Sequence, residues 1–371
     1  MKTWRVLAVV LGMVGPGVLA QQAPSQPNLE RDFLTRIRRL TVEGRRAGEG
    51  YWSPDGRRLV FQSEREPGNP FYQIYVMDLG SGDVKRISPG LGKTTCAFFR
   101  PGSDEILFSS THADPKSKQW QDEELAFRAS GKERRYSWDY DPEMDIYAYS
   151  EKAGTMKRLT SARGYDAEAS YSPDGQWIAF SSMRDVYGRA LSDAEKKQIE
   201  VDPSYFAEIY IMRADGSGQK QLTSVAGYDG GPFFNHDGTR IIWRRFEENG
   251  LIANVFSMKL DGSDVKQITN FGAMSWAPYE HPSGDYLLFA SNKLGFENFE
   301  VFMVDSQGAK EPVRVTYSDG FDGLPVPSPD GRQLAWTSSR SGGSGSAGQL
   351  FLAQWNHDKA LEAIKKAPPR K

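Results

Sequence analysis

The stretch TRIRRLT, residues 35–41, decides how this chain closes on itself. Four later segments share its pattern of basic or amide residue, aliphatic residue, then Ser or Thr: VKRIS (84–88), MKRLT (156–160), QKQLT (219–223) and VKQIT (264–268). Each of those four ends a longer repeated unit. TRIRRLT ends a unit that has no beginning upstream.

The unit is marked by a turn. SPDG occurs at 53–56, 172–175 and 328–331, and degenerate forms start at Arg100 (RPGSD), Asn235 (NHDG) and His281 (HPSGD). Pro presets φ at the first turn position, Asp bonds nearby backbone, and Gly takes the positive φ that closes the turn. A strand precedes each turn (GEGYW, TCAFF, AEASY, GGPFF, WAPYE, LPVP), and an apolar strand ending in Phe or Trp follows it (LVFQS, ILFSS, IAFSS, IIWRR, LLFAS, LAWTS). Third strands have a central aromatic or Tyr (QIYVMD, DIYAYS, EIYIMR, NVFSMK, EVFMVD, QLFLAQ), and a Gly-containing turn leads to the fourth. Six four-stranded antiparallel meanders in series predict an all-β, six-bladed β-propeller.

The first three strands occur six times, but only five fourth strands follow them, the fifth being PVRVTY at 312–317. After QLFLAQ (349–354) the chain reads NHDKALEAIKKAPPRK. The missing strand is therefore assigned to residues 35–41, which would complete the last blade and leave no raw sheet edge. The expected organisation is a leader at 1–20, a linker at 21–34, the propeller at 35–356 and a basic tail at 357–371. Inserts at 111–144 and 183–207 join the second and third strands of blades two and three.

The [WY]-S-P-D-G turn, the aromatic-ended second strand, the D/E-I-Y third strand and the K-x-L/I-T fourth strand together resemble the TolB-type propeller repeat, from residue 36 to about 355. The same repeat is similar to propellers attached to prolyl-oligopeptidase-like hydrolases and to those of some sugar-acid lyases. The resemblance implies the fold, and leaves function to be argued from the site. TolB itself has an α/β domain ahead of its propeller, whereas only residues 21–34 separate leader and first strand here.

Lys2 and Arg5, the apolar run VLAVVLGMVGPGV and Val18-Leu19-Ala20 have the form of a cleaved secretory signal, too short and Gly-interrupted to span a bilayer. This predicts a periplasmic or secreted protein with no membrane span. The single cysteine, Cys96, cannot form an internal disulfide. A formal net charge of −2 gives no polybasic case for nucleic acid.

In such a meander, the loops leading into first strands and those joining second to third strands emerge on one face, and both long inserts lie there. Six residues before each turn stand Ala47, Thr94, Asp166, Asp229, Ser275 and Asp322; four before stand Glu49, Cys96, Glu168, Gly231, Ala277 and Leu324. The aspartates either converge at the channel mouth as an acidic funnel for a basic peptide, a cation or a sugar, or cap their own loops. Glu49, Asp166, Glu168, Asp229, Asp322, Trp276 and, in the first insert, Trp138 are the candidate ligand-binding residues. Asp114-Pro115 and Gly131 mark a helix start and stop in that insert. Arg134, Arg135, Tyr136 and Trp138 follow with the composition of a binding hot spot.

Of four histidines only His112 is placed to act on this face, which excludes a three-His metal site, and no G-x-S-x-G elbow is present. No metal or cofactor is expected. The leading expectation is a non-catalytic, monomeric propeller that binds a protein partner or envelope polymer through the loop-rich face. The alternatives are a uronate polysaccharide lyase, with weak catalytic candidates His112, Arg134, Arg135 and Tyr136, or an accessory propeller of a hydrolase.

Overall fold

The computed structural model describes residues 28–132, 140–340, 342 and 347–370. They form six four-stranded antiparallel sheets. Blade one comprises Arg46–Trp52, Arg58–Glu64, Gln73–Asp78 and Val84–Arg86, and blades two to five repeat that order. Blade six comprises Asp322–Pro327, Gln333–Ser338 and Gln349–Trp355, with Leu34–Arg39 from the other end of the chain as its outer strand. The closure expected for residues 35–41 is thus present.

The repeated aromatics make the core. The residues that end the apolar runs, Phe61, Phe108, Phe180, Trp243, Phe289 and Trp336, are all fully buried. Each packs on the aromatic of its neighbouring third strand (Tyr75, Tyr147, Tyr210, Phe256, Phe302 and Phe351), with ring centroids 5.5 to 6.4 Å apart. Both faces of every blade are covered by neighbours, so second and third strands read as continuous apolar runs.

The Ser or Thr that ends each fourth strand locks that strand to the third. Ser88, Thr160, Thr223, Thr269 and Thr316 accept the backbone N–H of Ile74, Ile146, Ile209, Val255 and Val301 at 2.8 to 2.9 Å. Their hydroxyls reach the first side chain of the third strand, as Thr223 does to Glu208 at 2.5 Å and Thr316 to Glu300 at 2.6 Å. In blade six Thr41 does the same, accepting from Leu350 N–H and donating to Gln349.

The SPDG turns bear out their chemistry. Ser53, Ser172 and Ser328 donate to Asp55, Asp174 and Asp330 at 2.5 to 2.6 Å, and each Asp accepts the N–H two residues on. On this trim face His281 packs against both Tyr286 and His357, at 4.7 and 4.6 Å, and those two rings lie 5.7 Å from each other.

Residues 357–371, read from sequence only as a tail, contain a helix, His357–Lys366, capped by Asn356. Ala360 and Ile364 are buried beside Phe33, Leu34 and Trp355, so the helix covers the seam between the two chain ends.

Every first strand is broken by a bulge at the same place. Glu49, Cys96, Glu168, Gly231, Ala277 and Leu324 all have φ between 50° and 58°, and the strand register shifts around each. A bulge re-aims the side chain it carries. Here it gives the channel wall one re-aimed position per blade.

Candidate functional site

Those six positions line a cavity of about 880 Å³ at the loop-rich end of the channel. Two residues deeper along the first strands, Tyr51, Phe98, Phe233 and Tyr279 meet with ring centroids 5.0 to 6.3 Å apart. These rings form an aromatic floor, of which Tyr51 and Phe233 line the cavity. Trp276, Phe321 and Tyr165 stand in its wall.

One side of the mouth is built by the first insert. Its helix, Ser117–Ala129, does not stay on its own blade but crosses to the loop of blade one. Arg128 bonds Pro70 O at 2.9 Å and pairs with Glu64, and Gln121 bonds Gly68 O while accepting from Gly92 N–H. The second insert packs elsewhere: Met183 and Val186 bury Tyr165 and Met144, and Tyr187 meets Tyr140 across the gap between inserts. Its helix, Asp193–Val201, has the capping box formed by Ser192 and Glu195.

Within the cavity the polar groups are few and connected. Glu168 accepts from Tyr228 OH at 2.6 Å, from Arg244 Nη2 at 2.7 Å and from Gly231 N–H at 2.7 Å, three donors supplied by the next blade. Arg244 also donates to Tyr228 OH and lies over the rings of Tyr228 and Trp276, at 4.8 and 5.6 Å. Its Nε is buried without a hydrogen-bond partner. Gly231 makes room for it, because a Cβ there would lie 2.0 Å from Arg244 Nη1.

Glu49 lies on the same wall and makes no ion pair among the described residues. Tyr51 OH donates to it at 3.2 Å. Burial pushes its carboxyl up to about 7; hydrogen bonds from Cys96 and Tyr51 pull it back in part, and Glu168 repels its charged form. Burial, then the two glutamates, push the Cys96 thiol well up, so it is a small inert wall residue rather than a nucleophile.

Three expected residues are not at the mouth. Asp166, Asp229 and Asp322 are fully buried and form neither a funnel nor simple loop caps. Each is claimed by the arginine at the end of its own blade's second strand. Asp166 takes Arg184 at 2.5 Å, Asp229 takes Arg245 through two bonds of 2.7 and 2.6 Å, and Asp322 takes Arg340 at 2.8 Å and Trp336 Nε1 at 3.0 Å. A buried carboxylate costs too much unless paired, and the nearest cation is in the same blade. Glu49, Glu168 and Trp276 do line the cavity. Arg134, Arg135, Tyr136 and Trp138 lie outside the described residues.

His112 is turned away from the cavity, bonded to Ser110 Oγ at 2.9 Å and packed 4.4 Å from Tyr147. Burial, then Arg158, lower its basicity. Two acids near His112 are also committed, Asp141 of the first insert to Lys93 at 3.2 Å and Asp145, which begins the third strand of blade two, to Arg158. Sequence reasoning missed Arg244, Tyr228 and Tyr51. The signal for the first was present: where the other second strands carry Gln62, Ser109, Ser181, Ala290 or Thr337, blade four carries Arg244, opposite the one Gly among the bulge residues.

No family model matches the chain. It is 27% identical over 189 residues to an uncharacterized peptidase, YuxL, of Bacillus subtilis, covering 45% of this chain and 28% of that one. It is 25% identical over 210 residues to an uncharacterized protein of Agrobacterium fabrum, covering 53% and 64%. A TolB homolog of Chlorobium luteolum is 26% identical over 120 residues, covering 26% and 28%. The matched stretch thus spans less than two-thirds of the length of each of these relatives. Among solved structures, a putative TolB from Agrobacterium tumefaciens superposes with TM-score 0.55 at 20% identity, covering 84% of this chain and 90% of that one. TolB from Acinetobacter baumannii gives 0.54 at 16%, covering 88% and 65%. A gluconolactonase from Xanthomonas campestris gives 0.56 at 14%, covering 87% and 91%. At these identities the likeness is one of fold, and the fold serves binding and catalytic proteins alike. The chain is a six-bladed β-propeller, similar in fold to TolB.

Proposed function

We propose that this chain is a binding propeller, exported to the periplasm or beyond, that takes a segment of a protein partner or envelope polymer into the cavity at its loop-rich face. The observation that carries this reading is the cavity itself. It is large enough for a few residues or a sugar unit, walled by aromatics, floored by Tyr51, Phe98, Phe233 and Tyr279, and held on a scaffold whose strands are locked in every blade. The lyase alternative is weaker because His112, the base it needs, does not face the cavity. No helix among the described residues is long and apolar enough to cross a membrane.

The test is site-specific photo-crosslinking in an envelope extract. A photoreactive residue at Phe321, on the cavity wall, is expected to give a discrete adduct, and the same group at Asp237, on the trim face, none. Equal labelling from both faces, or none from Phe321, would overturn the reading.

A further inference from the structure

The carboxylates on the cavity wall are not alike. Glu124 pairs with Arg128 at 2.6 Å, and Glu168 pairs with Arg244 at 2.7 Å. The other cations of the lining stand at the rim: Arg45, Arg46 and Arg128 all pair with Glu64, at 3.8, 2.5 and 3.3 Å, and Lys132 is exposed to solvent. Glu49 alone on that wall has no cation among the described residues, although elsewhere in the ring Asp166, Asp229, Asp322 and Glu300 each hold an arginine. Around Glu49 stand Tyr51 of its own strand, Cys96 of blade two, Glu168 of blade three and Arg244 of blade four. Arg244 is turned by Nη2 toward Glu168 and Tyr228. With Glu49 ionised, the group formed by Glu49, Glu168 and Arg244 carries two negative charges against one positive.

The walls suit the missing charge. Trp276 already accepts the Arg244 guanidinium on its face, and Tyr51, Tyr165 and Phe321 offer further π surface around the same space. Aromatic faces beside one carboxylate form the environment that binds alkylammonium groups.

We propose that the cavity receives a primary ammonium group of the partner, from a lysine side chain or a free amino terminus, which takes the place of the proton on Glu49. This deepens the binding reading above and rests on it. Below pH 7 Glu49 is mostly a neutral acid in the empty cavity, its carboxyl being pushed up to about 7 by burial; as the ammonium enters, the carboxyl releases its proton to solvent and becomes the counter-ion. The exchange keeps the interior charge constant, so it avoids the cost of adding a charge to a low-dielectric site.

The probes are Nα-acetyl-lysine methylamide, alanine methylamide with its free amino terminus, and the uncharged Nα-acetyl-norleucine methylamide. They are titrated calorimetrically into the whole protein in two buffers of unequal ionisation enthalpy. Either cationic probe, if it binds, is expected to release close to one proton per molecule bound at pH 6; at pH 8.5 the lysine probe should release almost none, and the alanine probe, whose amino group titrates at about 8, should take up most of one. The affinity of the lysine probe should rise about 30-fold between pH 5.5 and 8 and then flatten, and that of the alanine probe should pass through a maximum between pH 7 and 8. Which cationic probe responds identifies the source of the ammonium. Glu49→Gln should abolish proton release and the rise in affinity together. A norleucine affinity equal to that of the tighter-binding cationic probe, no binding of either cationic probe, or proton release that persists in Glu49→Gln would each overturn the proposal. The wild-type proton count is informative whether or not that variant folds. If Phe321 crosslinking to the partner is unchanged in a folded Glu49→Gln protein, partner binding stands and the ammonium assignment falls.

Discussion

Thr41 Oγ1 donates to Gln349 Oε1 at 2.7 Å although the two are 308 positions apart in the chain. The same hydroxyl accepts Leu350 N–H at 2.9 Å. In the other five blades the equivalent bonds are local, as between Thr223 and Ile209. The ring is held shut by the bond set that holds each blade together, used once at long range.

Removing only that hydroxyl, in Thr41→Val, leaves Leu350 N–H and the Gln349 amide without their partner in a buried place. The expected loss is about 2 kcal/mol, read as a lowered midpoint of chemical unfolding. Thr223→Val should cost a similar amount. Deleting residues 28–41 should do much more, exposing the edge of Gln349–Trp355 and bringing aggregation with the loss of stability.

Arg244 and Glu168 form a buried pair, so removing either partner strands the other. Arg244→Met is expected to destabilise by about 3–5 kcal/mol, and adding Glu168→Gln should recover part of that loss. A double-mutant cycle by urea unfolding measures the coupling. Additive losses would mean that the two do not act as a pair.

The Asp229–Arg245 pair separates structure from binding. Asp229→Asn should lower stability by a few kcal/mol, because Arg245 loses a charged partner that it holds with two bonds. Labelling from Phe321 should persist at temperatures where the variant remains folded. Selective loss of labelling would restore the aspartates to the site.

The pH dependence of stability carries a sign. The Glu49 carboxyl stands at about 7 in the folded state against 4.5 for the free side chain. The folded state therefore holds the proton more tightly, and the resulting stabilisation is present below pH 4.5 and lost as pH rises toward 7. Glu208, also pushed up to about 7 by burial, acts in the same direction. Glu49→Gln should flatten the fall between pH 5 and 8 by on the order of 2 kcal/mol, allowing for the water the cavity admits. Parallel curves for variant and wild type would show Glu49 to be ionised in the empty cavity.

The repeat made the fold legible because each of its residues answers a local demand repeated six times: the SPDG turn, the aromatic that fills the blade core, the Thr that locks the outer strand. Even closure could be read, since Thr41 keeps the residue type of Thr160 and Thr223. The site was only partly legible. Aligning the copies placed Glu49 and Glu168 correctly because the bulge falls at a fixed distance from each turn. It misplaced Asp166, Asp229 and Asp322 because their arginines lie a hairpin away, and which arginine reaches which carboxylate depends on side-chain direction rather than spacing. The partnership of Gly231 and Arg244 likewise needs two strands to be seen side by side.

The six bulges have a consequence for how such a protein changes over generations. Each blade presents one position, Glu49, Cys96, Glu168, Gly231, Ala277 or Leu324, whose backbone shape is set by the strand and which lines the cavity. Residues as different as Glu and Leu already occupy the same geometry in one molecule. The mouth behaves as a dial on which Ala277 and Leu324 can be reset one substitution at a time while the ring stays as it is, whereas Glu168 and Gly231 are tied to Arg244 and can change only with it.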